Sequence, residues 1–415
     1  MKRRNFLKTL GGGSLAALSS PGAADRFAGR QEKNAGGSAP LTVSGHRDPR
    51  IEVNLDHIVW NLAQLKKRVK VSVMGVVKAN AYGHGLVGVA KALEAAGVEA
   101  LMVGKLREAV ALREAGIKCP ILNFGPFDRH DSDEIVGRNI SQSVFTEDAA
   151  YLDETAARLK RTAPVHIDID TGMGRTGVLH DRALPLIEKI ASFPHLRIEG
   201  VCTTLTEDPE FDKEQLRRFL DICSAANKRG ISLGWRHAAS SAAVFYSSDF
   251  YLDMIRPGIT LYGYYPNART RKEDALSLRP ALKFSAAVIF IKDLSPGESL
   301  SYLRVFKAGK KMRAATLGVG YSDGYPFLFG GKVSVMIRDK KFQVLEAVTS
   351  NHVMVDLGDD REVRIGDEAV LIHPDKGPGL TADALAEQSG VPDYKILIGL
   401  SPLTQRAYSE ARLSS

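Results

Sequence analysis

Val71-Ser72-Val73-Met74-Gly75-Val76-Val77-Lys78-Ala79-Asn80-Ala81-Tyr82-Gly83-His84-Gly85 is the stretch from which the rest of the chain is read. Its first seven residues form an apolar run with the look of a buried strand, and Leu86-Val87, Val89-Ala90 and Ala92-Leu93 then recur at helical spacing. Lys78 therefore stands where a strand ends and a Gly-containing loop begins. A lysine desolvated in a pocket there loses basicity, and its neutral amine can form a Schiff base. Lone lysines that close strands are usually solvated, so the weight falls on the string and on what surrounds it.

Outward from this stretch the same texture repeats. Apolar strands are expected at 71–77, 99–104, 120–124, 140–145, 164–169, 197–203, 235–239 and 254–261. Helical patterns fall between them at 86–97, 106–115, 131–137, 147–160, 183–192, 211–229 and 242–247. Eight strands alternating with helices predict an α/β chain with a (β/α)8 TIM-like barrel, assigned to residues 46–283, with its active site at the strands' C-terminal ends. Lys78, Arg175, Ser241 and Arg256 all fall at such ends. Before the barrel strands, 51–55 alternates like a strand, and Ile58, Leu62 and Leu65 mark a helix over 56–69. After Leu261-Tyr262-Gly263 the pattern changes to short strands and Gly, Pro and Asp turns, which predicts a mainly β domain over 284–415. One helix over 381–388, with Thr381 as its cap, and a last strand over 395–400 complete it.

At 415 residues, with 44% apolar and 25% charged side chains, the chain is long enough for a barrel and a second domain. Its formal charge of +8 includes four cations near the N-terminus, Lys2, Arg3, Arg4 and Lys8, which leaves about +4 without them. That balance, with no basic block or aromatic-basic interleaving, gives no sign of nucleic-acid binding. Cys119, Cys202 and Cys223 are odd in number and lack metal-ligand spacing, and they read as buried thiols. His84 and His237 likewise have no partner at a metal-binding spacing.

Residues 1–24 read as a targeting segment. Arg3-Arg4-Asn5-Phe6-Leu7-Lys8 has the twin-arginine pattern, a weakly apolar Gly-rich stretch follows, and Gly22-Ala23-Ala24 offers a cleavage site. The stretch is too short for a stable membrane span, and no cysteine near the cut suggests a lipid anchor. Residues 25–45, rich in Gly, Ala and Ser, read as a flexible linker. Export to the periplasm is the expectation, with a cytoplasmic location as the alternative.

Five further strings carry chemistry. They are Asp170-Thr171-Gly172-Met173-Gly174-Arg175-Thr176-Gly177, Arg236-His237-Ala238-Ala239-Ser240-Ser241-Ala242-Ala243, Asp253-Met254-Ile255-Arg256-Pro257-Gly258-Ile259, Gly297-Glu298-Ser299-Leu300-Ser301-Tyr302, and Gly318-Val319-Gly320-Tyr321-Ser322-Asp323-Gly324-Tyr325. Together with the lysine string they closely resemble the signatures of the alanine racemases, and the resemblance runs from about residue 50 to the C-terminus. It implies a racemase that holds pyridoxal phosphate on Lys78, with Lys78 also the base on one face of the bound amino acid.

The resemblance further implies a role for each matching residue. Tyr82, Ser241, Gly258 and Ile259 bind the cofactor's phosphate. Arg256 faces its ring nitrogen, and because a guanidinium cannot deliver a proton as a carboxylic acid does, this fits racemisation better than transamination. Arg175 contacts the cofactor's phenolate and the substrate carboxylate. Tyr302 is the second base, supplied by the other subunit of a homodimer, and Tyr321 is a wall residue. Asp168 stands where many members have a carbamylated lysine, a carboxylate ready-made to face Arg175. Two departures affect ring and substrate: Thr204 replaces a ring-side histidine, and Ser350-Asn351 replace a Met-Asp pair that lines the substrate pocket. The readings that follow are an alanine racemase, an exported racemase of broader specificity, a related pyridoxal-phosphate decarboxylase, and a non-catalytic pyridoxal-phosphate-binding paralogue. The decarboxylase would need an acidic partner for the ring nitrogen and would lack the Tyr302 string.

Overall fold

The computed structural model describes residues 47–273, 276–375 and 377–409. The twin-arginine segment and the linker expected after it lie outside them. Strand β1 (Arg50–Val53) comes first and leads into the helix Leu55–Val69, whose N-cap Asn54 accepts the His57 amide hydrogen through its side chain. Strands β2 (Ser72–Val76), β3 (Ala100–Val103), β4 (Ile121–Asn123), β5 (Ser141–Val144) and β6 (Ala163–Asp170) then follow. After a two-residue β7 (Val178–Leu179) come β8 (Leu196–Cys202), β9 (Trp235–His237) and β10 (Met254–Ile255). Apart from β7, which pairs beside β6, these strands run in the order β10-β2-β3-β4-β5-β6-β8-β9. All pair in parallel. Two backbone bonds close the ring between β9 and β10, from Asp253 N to Arg236 O (3.1 Å) and from Arg256 N to Ala239 O (2.8 Å).

All eight expected barrel strands are present, because short apolar runs between helices leave few other arrangements. The helices pack as their spacing dictates. Ala183–Ala191 buries Ala183, Leu186, Ile187 and Ile190 on one face. Each fully buried isoleucine there contributes about 1.5–3 kcal/mol. The helix Pro209–Lys228 starts on Asp208, whose carboxylate accepts two amide hydrogens, with proline at the first turn. Lys78, the loop after Asp170, Thr203, the 238–241 segment and Arg256 to Ile259 follow the ends of β2, β6, β8, β9 and β10, so they meet at one face of the barrel.

The second part is antiparallel. β11 (Leu282–Leu294) is its long strand, and β12 (Ser299–Leu300) with β13 (Phe306–Lys307) makes a small separate hairpin. β14 (Met312–Leu317), β15 (Ser334–Ile337), β16 (Lys340–Val348), β17 (Val353–Gly358) and β18 (Glu368–Ile372) pair in the order β14-β17-β16-β15-β18-β11. β11 also pairs with β14, which closes the circle. β1 lies antiparallel to β11 and parallel to the final strand, β19 (Gln405–Tyr408). The first strand therefore hydrogen-bonds within the second sheet, although it falls in the segment 46–283 assigned to the barrel.

The strand expected over 395–400 is instead the helix Asp393–Ile398. Of Ile396, Leu397 and Ile398 only the first two are buried, one turn's worth of contact, and Pro392 stands just before the first turn. The helix over 381–388 is present as Ala382–Ser389, but Thr381 makes no side-chain capping bond. Among the described residues, no helix is long and apolar enough to cross a membrane.

Candidate active site

Lys78 opens a turn of unusual conformation. Ala79, Asn80, Ala81 and Tyr82 all lie in the left-handed region, with φ of 53°, 56°, 52° and 51°. At about 1–2 kcal/mol for each L-residue, the turn stores roughly 4–8 kcal/mol. Its amides are well held. Asn80 N donates to Glu108 Oε1 (3.0 Å), and Glu108 Oε2 accepts from Gly104 N (3.2 Å). Ala81 N donates to Val77 O (2.8 Å) and Gly85 N to Asn80 O (2.9 Å), while Asn80 Oδ1 accepts from Leu86 N (2.8 Å).

The chain's last described segment packs onto this turn. Arg406 Nε donates to Gly83 O (2.9 Å), and its Nη1 donates to Ser401 O (3.1 Å) and Thr404 O (2.7 Å). A Cβ on Gly83 would lie 2.1 Å from Leu397 O, and one on Gly85 would lie 1.9 Å from Tyr408 Oη. Both glycines also have positive φ, so neither position accepts a side chain.

Lys78 is exposed at the barrel face, yet its surroundings make the amine less basic than a free lysine. Burial lowers its pKa, and Arg175 and Arg256 lower it further, against a smaller opposing effect of Glu108. Tyr82 is buried with its ring centroid 4.9 Å from that of Tyr262 and 5.9 Å from that of Tyr394. Burial raises the Tyr82 phenol's pKa, so it remains a donor. A Cβ on Gly258 would stand 2.3 Å from Tyr82 Oη, so glycine is what lets the phenol reach this backbone. Ser241 Oγ accepts from Gly258 N (2.9 Å) and lies 3.4 Å from Thr260 N. Ser240 Oγ and Thr260 Oγ1 nearby in these strings are buried without a hydrogen-bond partner among the described residues.

Arg256 is buried and held from several sides. Its Nη1 meets His237 Nδ1 at 2.7 Å, and its Nη2 donates to Thr203 O (2.7 Å) and Ala238 O (3.2 Å). The guanidinium carbon lies 5.9 Å from the Phe124 ring centroid. Thr204, where a ring-side histidine was expected, uses its carbonyl to accept from Gln215 Nε2 (3.0 Å).

Arg175 is exposed on the loop shaped by Asp170, whose carboxylate accepts from Gly172 N (2.9 Å) and Gly174 N (3.1 Å). The expected pairing of Asp168 with Arg175 is not a direct one. Asp168 accepts from Thr176 Oγ1 (3.2 Å) and from the Cys202 thiol (3.8 Å). Burial raises its pKa, and Arg256 opposes this more strongly than Arg175 does. Arg175 acts on it through charge, and Thr176, which bonds it, is the next residue in the chain.

The remaining expected residues lie in the second sheet. Tyr302 is 81% exposed after the β12 end, and Tyr321 is 54% exposed. Tyr321 N donates to Thr349 O (3.1 Å), Ser322 N to Ser350 O (3.0 Å), and Asn351 Nδ2 to Ser322 Oγ (2.9 Å). Tyr321, Ser350 and Asn351 thus share one corner. Among the described residues, no hydrogen bond, ion pair or ring contact joins Tyr302 or this corner to Lys78, Tyr82, Arg175 or Arg256. Sequence reasoning missed Glu108, Tyr394 and Arg406. Tyr394 stands just before the segment misread as a strand, while the contacts of Glu108 with Asn80 N and of Arg406 with Gly83 O reach far away in sequence and leave no local signal.

Pyridoxal phosphate fits the barrel-face set. A lysine of lowered basicity, backbone amides gathered with hydroxyls, buried hydroxyls without a partner among the described residues, and a cation that only donates answer to its aldehyde, phosphate and ring nitrogen.

The family model "Alanine racemase, N-terminal domain" matches residues 53–266, and "Alanine racemase, C-terminal domain" matches 281–408. Alanine racemase 2 of Caldanaerobacter subterraneus subsp. tengcongensis is 37% identical over 372 residues, covering 87% of this chain and 95% of that protein. Alanine racemase 1 of Clostridium acetobutylicum is 36% identical, covering 86% and 94%. Among solved structures, the alanine racemase of a D-cycloserine-producing Streptomyces lavendulae matches with a TM-score of 0.84 at 28% identity, covering 88% of this chain and 98% of that one. That of Bacillus anthracis, solved with bound L-Ala-P, matches with a TM-score of 0.82 at 31% identity, covering 88% and 95%.

Proposed function

Because the chain belongs to the alanine racemase family, we propose that Lys78 and Tyr302 are the two bases with which it interconverts L- and D-alanine. The activity is that of a pyridoxal-phosphate-dependent alanine racemase. When bound, the cofactor supplies an electron sink that makes the proton on the amino acid's Cα removable. Lys78 holds it covalently, Tyr82, Ser241, Gly258 and Ile259 hold its phosphate, and Arg256 donates toward its ring nitrogen.

The observation that carries this reading is a lysine of lowered basicity, exposed at the barrel's strand ends and fixed there by a strained turn. A neutral Lys78 Nζ accepts the Cα proton on one face. Arg175 binds the substrate carboxylate, and its exposed position supports a role at the entrance. On the opposite face a second proton carrier is needed. Tyr302, exposed on its hairpin, supports supply of that group by a second copy of the chain, so the working form is a homodimer. The Ser350-Asn351 corner completes the substrate wall beside Tyr321. The twin-arginine string supports export to the periplasm, and replacing Arg3 and Arg4 by lysine should then trap the precursor inside the cell.

Two measurements test the core of this reading. Borohydride reduction should fix the cofactor on the peptide containing Lys78, and labelling that persists in Lys78→Ala rejects the assignment. Mixing inactive Lys78→Ala and Tyr302→Phe subunits should restore D-alanine formation, since a heterodimer holds one intact site. Heterodimers that form and stay inactive reject the shared site.

A further inference from the structure

Behind Arg256 a single file of hydrogen bonds crosses the barrel interior. Arg256 Nη1 lies 2.7 Å from His237 Nδ1. His237 Nε2 lies 2.8 Å from His166 Nδ1. His166 Nε2 lies 3.4 Å from Glu199 Oε2. Glu199 also accepts from Arg197 Nη2 (2.8 Å) and Ser141 Oγ (2.5 Å). Both imidazoles are fully buried. Glu199, by contrast, borders a cleft of about 690 Å³ lined by Arg197, Ile231, Ser232 and Trp235.

The chemistry of the first group fixes the direction of the whole file. A guanidinium has no acceptor, so His237 Nδ1 must accept, and its proton must sit on Nε2. That proton points to His166 Nδ1, which must accept in turn, so His166 carries its own proton on Nε2 and donates it to Glu199. Burial keeps both rings neutral, as this arrangement requires, and the Glu199 carboxyl is held down to about 2 and stays an anion. The space for it is built in. A Cβ on Gly200 would stand 2.5 Å from His166 Nδ1, so only glycine lets the ring lie where it does.

We propose that Glu199 and His166 are positioning residues for the reaction, which set the His237 tautomer and thereby hold Arg256 against the cofactor's ring nitrogen. This rests on the reading that Arg256 faces that ring. An amide at position 199 could present either oxygen or N–H to His166. The reversed file would point a His237 Nδ1 proton at Arg256, two donors face to face, and the guanidinium would leave its place. A displaced arginine no longer prevents protonation of the ring. The reaction then leaks toward transamination, in which the amino group stays on the cofactor and water supplies the carbonyl oxygen of pyruvate.

The test uses the full chain with and without cofactor. In cofactor-free protein labelled with ¹⁵N-histidine, with signals assigned through His166→Gln and His237→Gln, both rings should be neutral with the proton on Nε2. In Glu199→Gln an Nδ1-protonated population should appear. In the loaded enzyme, pyruvate formed per D-alanine should rise about tenfold, the worth of one charge-assisted hydrogen bond. Glu199→Asp, which keeps the charge, should restore both readouts, and it carries the test if the glutamine variant does not fold. Nδ1 protonation of His237 in the wild type overturns the proposal, as does a Glu199→Gln enzyme with unchanged tautomers or unchanged pyruvate yield. Arg256→Gln separates the two readings. If it too leaves pyruvate yield unchanged, the placement of Arg256 at the ring fails. If it raises the yield while Glu199→Gln does not, only the file fails.

Discussion

Glu108 is the residue whose removal most directly tests how Lys78 is held. It lies outside every signature string, yet its carboxylate accepts from the amides of Asn80 and Gly104 at 3.0 and 3.2 Å, one of them inside the left-handed turn. Hydrogen bonds to a charged group contribute roughly 1.5–3 kcal/mol each where they are buried. Both of these are only part-buried, so Glu108→Ala should cost about 2–4 kcal/mol in total. That is comparable to the lower end of the 4–8 kcal/mol of strain in the turn. The turn should therefore relax locally before the barrel unfolds, and the loss should be divided between stability and cofactor affinity. Urea unfolding of the cofactor-free protein and titration with pyridoxal phosphate measure the two shares, and about 1.4 kcal/mol in affinity is a tenfold weaker Kd. Glu108→Gln should be intermediate, because one amide oxygen can replace only one of the two acceptors. If neither stability nor affinity of Glu108→Ala moves by more than about 0.5 kcal/mol, the view that this carboxylate restrains the strained turn is wrong.

Other outcomes follow from the same geometry. His84 is fully buried, donates from Nδ1 to Tyr82 O (2.9 Å), has no partner at Nε2 among the described residues, and has its pKa lowered from 6.5 to about 4 by burial. The unfolded chain therefore binds more protons between these values, so stability falls as pH drops from 6.5 toward 4, by about 3 kcal/mol for this group. Denaturant melts at pH 7 and pH 4 should show a smaller loss in His84→Gln, and identical losses in the two proteins refute it. Asp168 needs no carbamylation, so activity should be indifferent to bicarbonate. Asp168→Ala should raise KM, and Asp168→Asn, which can still accept from Thr176, should raise it less; equal kinetics in all three exclude the route through Thr176. Ser350 and Asn351 should admit longer side chains, since a methylene discriminates by only about 1–3 kcal/mol. Ser350→Met/Asn351→Asp should sharpen the preference for L-alanine over L-serine and L-lysine in kcat/KM, whereas a wild type already selective by more than about a thousandfold contradicts the wider pocket.

The barrel was legible because each of its strands is a local apolar run flanked by a helix of matching period, as at 71–77 followed by 86–97. The strand-end places of Lys78, Arg256 and Ser241 were legible from the barrel pattern, while their roles came only from the resemblance. What sequence could not give was the conformation of Ala79 to Tyr82, since nothing in alanine, asparagine or tyrosine calls for four left-handed residues in a row. The last elements were misread for a related reason. Ile396-Leu397-Ile398 has strand-like composition, but one turn of contact made it a helix, and β19 is a short polar segment that exists only because β1 offers it an edge. His166 and His237 are separated by 71 residues and joined only by the curvature of the barrel.

The docking of Arg406 on Gly83 O ties together groups 323 residues apart. During synthesis, at about 5–20 residues per second, roughly 16 to 65 seconds separate the emergence of these two ends. For that interval the lysine turn is without Arg406 and Tyr408, and its left-handed backbone lacks part of what opposes the strain. The nascent chain can thus build most of a barrel while its amine-bearing turn is still unfinished. Full capture of pyridoxal phosphate should then wait until the C-terminal segment has reached the turn. A tag or truncation at the far C-terminus, remote from every signature string, would then act on cofactor capture first.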